Sequence, residues 1–123
     1  MTRNSAERIS AFTQSNKKYP FLKSLHIDRT FNEDGCSEYH LTIALCNFPF
    51  YEGDAQLVLT FSGARDIKIG NLQGMLRLMI GITDISKDQL EGINYKVHED
   101  EYDILSFYCE DFDFHVTLRD NLT

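Results

Sequence analysis

The sequence predicts an α+β fold, a mainly antiparallel β sheet of roughly six to eight strands with one N-terminal helix packed against it. Three observations lead there. The opening stretch carries apolar residues at helical spacing and is stopped by Pro20. After Pro20 the period of the apolar residues drops from near 3.6 to 2. Turn chemistry then separates one alternating run from the next, each with a wet face, as antiparallel strands have and βαβ units do not.

The helix is expected over residues 4–18. Asn4 with Glu7 three residues on resembles a capping box, and Ala6, Ile9 and Phe12 form one narrow apolar stripe. Lys17 and Lys18 suit the negative end of the helix dipole, and the residue before Pro20 is pushed towards extended geometry. The β region is expected over 22–119. Leu25, Ile27 and Phe31 share one phase. Tyr39, Leu41, Ile43 and Leu45 oppose Glu38, His40 and Thr42 in the cleanest alternation of the chain. Leu57, Leu59 and Phe61 repeat it, as do Ile67 and Ile69 beyond Ser62-Gly63-Ala64, where the glycine predicts a bulge or tight turn. Turns are expected at Asn32-Glu33-Asp34-Gly35, at Glu52-Gly53-Asp54 and at Gly70-Asn71.

Leu76, Leu78, Ile80 and Ile82 fit a strand, while Met75, Leu78, Met79 and Ile82 fit a helix. Branched residues, Gly81 and Thr83 favour strand. Ser86-Lys87-Asp88-Gln89 reads as a capped single helical turn closed by Gly92. Ile93, Tyr95 and Val97 resume the alternation. An acidic turn from His98 to Asp103 leads into residues 104–109 as a hairpin. Phe112, Phe114, Val116 and Leu118 make the last strand, with Glu110-Asp111 as a bulge or tight corner.

All 123 residues are read as a single domain, 1–123. Apolar residues at 42 % and charged residues at 25 % exclude collagen-like, low-complexity and wholly disordered classes. No apolar run is long enough to span a bilayer as a helix, and the first residues lack the apolar core of a signal peptide. Cys36, Cys46 and Cys109 are odd in number and widely spaced, so reduced thiols and a cytoplasmic location are expected. The alternative is one disulfide plus a spare thiol.

The net charge of −7 is unevenly placed. Residues 1–31 sum to +4, and residues 32–123 to −11. Such a field repels phosphate backbones and anionic membranes, so neither nucleic acid nor membrane is expected as a partner, whereas a basic protein would be steered in. The densest acidity is Glu99, Asp100, Glu101, Asp103, Glu110, Asp111 and Asp113, seven carboxylates in fifteen residues with no base between them. Read for function, they form a recognition surface for a basic partner; if that were a nuclease, they could stand where its phosphate ligands bind. A hard-cation site is a second reading, although the Asp-x-Asp-x-Asp-Gly loop is absent. A solvated hairpin that protects an edge strand is the third.

No cofactor is expected. His26, His40, His98 and His115 fall on polar strand phases without metal-ligand spacing, and a zinc site from Cys36, His40 or Cys46 has little support. Nucleophile elbows, Walker loops and dinucleotide fingerprints are missing, so no catalytic residue is assigned. Cys109, in an apolar and acidic setting, is expected as a core filler rather than a nucleophile. Tyr102, Phe107, Tyr108, Phe112 and Phe114 are mostly core by alternation, and any that faces outward is a natural interface anchor.

Residues 57–66 (Leu-Val-Leu-Thr-Phe-Ser-Gly-Ala-Arg-Asp) resemble the Leu-x-Phe-x-Gly-(Val/Ala)-x-Asp strand of a small bacterial family. Asp84-Ile85-Ser86 and residues 92–97 (Gly-Ile-Asn-Tyr-Lys-Val) with Glu99 and Glu101 add to it, and residues 105–112 complete it. Across roughly residues 40–116 the chain resembles immunity proteins of polymorphic toxin systems, immunity protein family 50 or a relative. The resemblance implies a non-enzymatic cytoplasmic inhibitor that binds and occludes a toxin domain. A small-ligand or metal-binding module and an uncharacterised hydrolase are the alternatives.

Overall fold

A computed structural model describes residues 5–31, 33–35, 37–74 and 77–118. Asn4, Asn32, Cys36, Met75, Leu76 and Arg119, named in the expectations above, lie outside the described residues. Helix α1 spans Ser5–Lys18 and buries Phe12 and Asn16, with Ile9 packed on the same core. Seven antiparallel strands follow among the described residues: β1 (Phe21–Phe31), β2 (Ser37–Cys46), β3 (Leu57–Ile69), β4 (Ile80–Asp84), β5 (Tyr95–Glu99), β6 (Leu105–Cys109) and β7 (Asp111–Val116). The ambiguous apolar stretch is a strand from Ile80 onward, while Leu78 and Met79 precede it outside any strand. Ile80 and Ile82 sit opposite Glu99 and Val97, and their alternate phase carries Gly81 and Thr83 to the other face.

The strand order is β1-β2-β3-β6-β5-β4, with β7 also on β3. That order reduces to a simple picture, because β6 and β7 are two lengths of one strand running antiparallel to β3. Arg65 pairs with Tyr108 and Ser62 with Asp111, while the Glu110 N–H donates to the Ser62 carbonyl at 3.0 Å. Gly63, at φ +64, takes up the bend opposite Glu110. The expected bulge at Ser62-Gly63-Ala64 and the expected corner at Glu110-Asp111 are thus one feature seen from its two strands. The first half of β3 belongs to a sheet half with β1, β2 and β7, and the second half to one with β4, β5 and β6.

The sheet is open, and its inner face wraps the helix. Phe12 of α1 joins one buried cluster with Leu41, Ile43, Leu45, Leu57, Leu59, Phe61, Val97, Phe107 and Phe112, all essentially inaccessible. Edge-on ring contacts link Phe12 to Phe114, Phe61 to Phe107 and Tyr95 to Phe112. Each such buried side chain contributes about 1.5–3 kcal/mol through loss of apolar surface from water.

The helix also closes both sheet halves at their edges. Asn16, 1 % exposed, accepts the Ile80 N–H (2.9 Å) and donates to the Leu78 carbonyl (3.1 Å), filling backbone positions a further strand would have used. Near the other end, Arg8 donates to the Phe112 carbonyl, lies over the Phe112 ring and stands 3.6 Å from Asp111. A single bridge between Phe21 and Arg77, with the Leu78 N–H on the Pro20 carbonyl, draws the start of β1 towards the approach to β4.

Besides the end of β7 at Val116, short of the expected Leu118, two details differ from the sequence expectation. The single turn at Ser86–Asp88 is 3-10 and ends at Gln89 in the left-handed region (φ 56), ahead of Gly92. Its entry is held by Asp84, whose carboxylate accepts the Ser86 N–H and hydroxyl; those two bonds keep the Asp84 carboxyl below its ordinary range. The second concerns Ile27 and Phe31, which share the inward phase of β1 yet are 40 % and 74 % exposed. The β1–β2 arm continues past Tyr39–Ala64, the last β2–β3 pair, so nothing described covers its end.

Candidate functional site

The seven carboxylates expected as a surface do not form one. Glu99 is the correction: it is 1 % exposed, with its carboxylate turned inward. It accepts the backbone N–H groups of Met79 (3.3 Å), Glu101 (2.9 Å) and Tyr102 (2.5 Å), which ties the β5–β6 turn to the strand beside it. A carboxylate satisfied by three N–H donors is a structural clamp, because strand alternation brings Val97 and Glu99 to the same inner phase.

The other six fall into two groups separated by the five residues of β6, about 17 Å at strand rise. Asp100, Glu101 and Asp103 occupy the β5–β6 turn. Asp100 pairs with His98 Nε2 at 2.8 Å, and Glu101 lies 3.9 Å from Arg77. Tyr102 in the same turn is 66 % exposed, the outward aromatic of that segment. Glu110, Asp111 and Asp113 sit at the bend and along β7. Of these, Asp111 is paired with Arg8.

The bend group gains a member that sequence proximity could not show. Above Gly63 the carboxylates of Glu38 and Glu110 converge, Glu38 Oε1 at 3.1 Å and Glu110 Oε2 at 3.2 Å from the position a Gly63 Cβ would take. Glu38 also lies 3.6 Å from His40. Its one signal in the sequence was its place on the polar phase of β2. Asp113, Thr60, Thr42 and His26 follow in register across the same outer face, and a shallow cleft of about 320 Å³ opens there between His40, Ser62, Asp111 and Asp113.

The outer face of the other sheet half carries cations among its acids. Thr83, Lys96, Tyr108 and Arg65 form one register row, and Gly81, His98, Ser106 and Lys68 the next. Of these, Thr83, Lys96, Tyr108, His98, Ser106 and Lys68 line a cleft of about 790 Å³ rimmed by Asp66 and Asp103, both in the left-handed region at φ 54. The His98 Nδ1 is buried there without a hydrogen-bond partner among the described residues. Lys68 and Lys96, twenty-eight residues apart in the chain, were not singled out from the sequence.

The two described cysteines are unpaired and buried. Burial, helped by the charge of Asp111, pushes the Cys109 thiol up to about 12; burial also raises that of Cys46, against an opposing pull from Lys23. A thiol so held is protonated at neutral pH and is no nucleophile. His26 and His115 are exposed and His40 and His98 half-buried. Among the described residues no three His, Cys, Asp or Glu side chains gather as a metal site needs, and no helix is long and apolar enough to cross a membrane.

Comparison with known proteins gives one match. A search of the curated proteins and one of the solved structures found no match. A family model described as Immunity protein PIM8 matches residues 4–115, which extends the resemblance read from the sequence over α1 and β1 as well. That span takes in the helix, six of the seven described strands and all but the last residue of β7, so the chain belongs to the PIM8 immunity protein family.

Proposed function

We propose that this chain is a non-enzymatic inhibitor that binds one copy of a cognate toxin domain and covers its active site, and that the toxin surface it meets is basic. The observation that carries the reading is the meeting of Glu38 and Glu110 above Gly63, with Asp113 further along the same outer face, on a scaffold that belongs to an immunity family. Glu110 and Asp113 have no cation beside them among the described residues, so their field is left for a partner. Like-signed carboxylates on a rigid sheet attract a basic protein at long range and orient it on approach. A nuclease fits that description, since its phosphate-binding cations would meet these carboxylates. Asp100, Glu101 and Asp103 form a flanking group with Tyr102 as its apolar anchor. Reduced, buried thiols suit action in the cytoplasm, beside a toxin's target.

The test is titration of the purified protein into the toxin domain encoded beside its gene, reading both binding and toxin activity. A one-to-one complex without activity, formed more slowly as salt rises, supports the reading. Full toxin activity in the presence of excess protein overturns it.

The cleft floored by Lys68, Lys96 and His98 favours a second reading, a small-ligand module. A rise in melting temperature with a nucleotide or phosphate panel would support it, and an unchanged melting temperature would remove it.

A further inference from the structure

The unpaired edge of β1 has a property that its burial alone does not reveal. Beyond the bridge at Phe21, residues 23–31 lie at the margin of the sheet and are half-buried at Leu25 and exposed elsewhere. Their backbone groups on that side meet no other strand among the described residues. Charged side chains on an edge usually deter pairing. Here their positions favour one self-pairing register over its immediate neighbours.

We propose that two copies of this chain join by antiparallel pairing of β1 with β1 about a two-fold axis through Ile27, making one continuous sheet across the dimer. The axis must stand perpendicular to the sheet, so that residues of like phase face one another. With Ile27 on the axis, Ile27 meets Ile27 of the second copy and Leu25 lies against the aliphatic stem of Arg29. On the outer face His26 meets Asp28, and this pair occurs twice by symmetry. Lys23, which lies over the Phe50 ring in the single chain, falls opposite the exposed Phe31. Moving the axis one residue either way is penalised: on His26 it sets Lys23 against Arg29, and on Asp28 it sets Asp28 against Asp28. The chosen register also uses the whole of residues 23–31 and covers Ile27 and Phe31, two of the exposed apolar side chains that the fold leaves at the end of the arm. Arg29 is already held over the rings of Phe31 and Tyr39 and bonded to Ser37, so its stem is ordered before the partner arrives. This inference stands apart from the toxin reading and does not depend on it.

Sedimentation of the purified full chain over a concentration series tests it, with Ile27→Glu and Ile27→Cys as variants in a Cys36→Ser background. A reversible monomer–dimer equilibrium is expected, and Ile27→Glu, by placing two carboxylates on the axis, should shift it to monomer at the same melting temperature. Independently of that variant's folding, Ile27→Cys should cross-link into a covalent dimer on mild oxidation, because directly opposed residues meet the Cα spacing of a disulfide. Thr30→Cys, whose counterpart is Ser24, should not. A monomer at every concentration overturns the proposal, as does a dimer indifferent to Ile27→Glu or equal cross-linking at residues 27 and 30. If the chain stays monomeric while Ile27→Glu weakens binding of the adjacent-gene toxin, the edge belongs to the toxin and the dimer is rejected.

Discussion

Gly63 and Glu110 face each other across β3 and the bend between β6 and β7, and a Cβ on Gly63 would stand 2.9 Å from the Cβ of Glu110. No real pair of side chains tolerates that distance, and Gly63 also holds φ +64. Gly63→Ala should therefore lose about 1–3 kcal/mol from combined strain and crowding, read as a lower denaturation midpoint. Adding Glu110→Gly should restore part of the loss by clearing the crowding, while the backbone strain stays. Full stability in Gly63→Ala would show that the bend can relax.

Asn16 is the polar residue on which the helix is hung. Its amide completes the backbone pairing of Leu78 and Ile80 from inside the core, so removal leaves a buried N–H and a buried carbonyl unmatched. Asn16→Ala should cost about 2–4 kcal/mol, more than a surface helix position could, and Asn16→Leu should cost no less despite its greater apolar volume. Chemical denaturation measures both. A neutral Asn16→Leu would mean that packing rather than hydrogen bonding holds α1 in place.

How legible this architecture was depends on the range of the interaction. The helix, its stop at Pro20 and the strand phases are local, and local periodicity carried them. Even the bend was visible twice, as a glycine in one strand and an acidic corner in another, without any sign that the two were partners. Pairing across forty-seven residues is not written in either segment. The same blindness hid Glu38 from Glu110. Glu99 was misread for a different reason: as one acid in a run of acids it looked solvated, although its even spacing from Val97 and Tyr95 placed it on the inner phase. Composition won over periodicity there, and periodicity was right. Ile27 and Phe31 show the reverse error, since their phase pointed inward but the core ends before the arm does.

Glu99→Gln provides the direct measure of the clamp. A glutamine oxygen can accept one or two of the three N–H bonds, but its NH₂ must then face donors. A loss of about 1–3 kcal/mol is expected. Hydrogen exchange should accelerate at Glu101 and Tyr102 well before the core strands respond. Uniform acceleration across the sheet would instead make Glu99 a global stabiliser with no special hold on the turn.

Cys109 gives the fold an alkaline weakness. Its thiol is raised from an unfolded value of 9.0 to about 12, so the folded state binds the proton more tightly than the unfolded chain does. The stabilisation is thus fully present below the unfolded value and drains away as pH climbs towards the folded one. Wild type and Cys109→Ala should differ in stability by a margin that narrows as pH rises from about 8 towards about 11, the alanine variant having no thiol to ionise. In a Cys36→Ser background, a thiol reagent should label neither Cys46 nor Cys109 in the native protein at neutral pH. Prompt native labelling would contradict the burial of both.

The two acidic groups differ in how much field they have to spare. Asp100 and Glu101 stand beside His98 and Arg77, which absorb part of their charge locally. Glu38, Glu110 and Asp113 crowd one face with only His40 near Glu38 among the described residues. If a basic toxin is drawn in by this surface, Glu38→Lys with Asp113→Lys should slow its association roughly tenfold at low ionic strength and flatten the salt dependence. Glu101→Lys with Asp103→Lys should slow it less. Both pairs keep the backbone N–H groups that Glu99 holds and leave the Arg8–Asp111 contact intact, but Glu101→Lys sets a cation beside Arg77, so melting temperature is measured alongside the rates. Equal rates for both double variants and wild type, measured by stopped flow against the adjacent-gene toxin, would assign binding to uncharged surface such as Tyr102, because steering by these carboxylates cannot leave the low-salt rate unmoved.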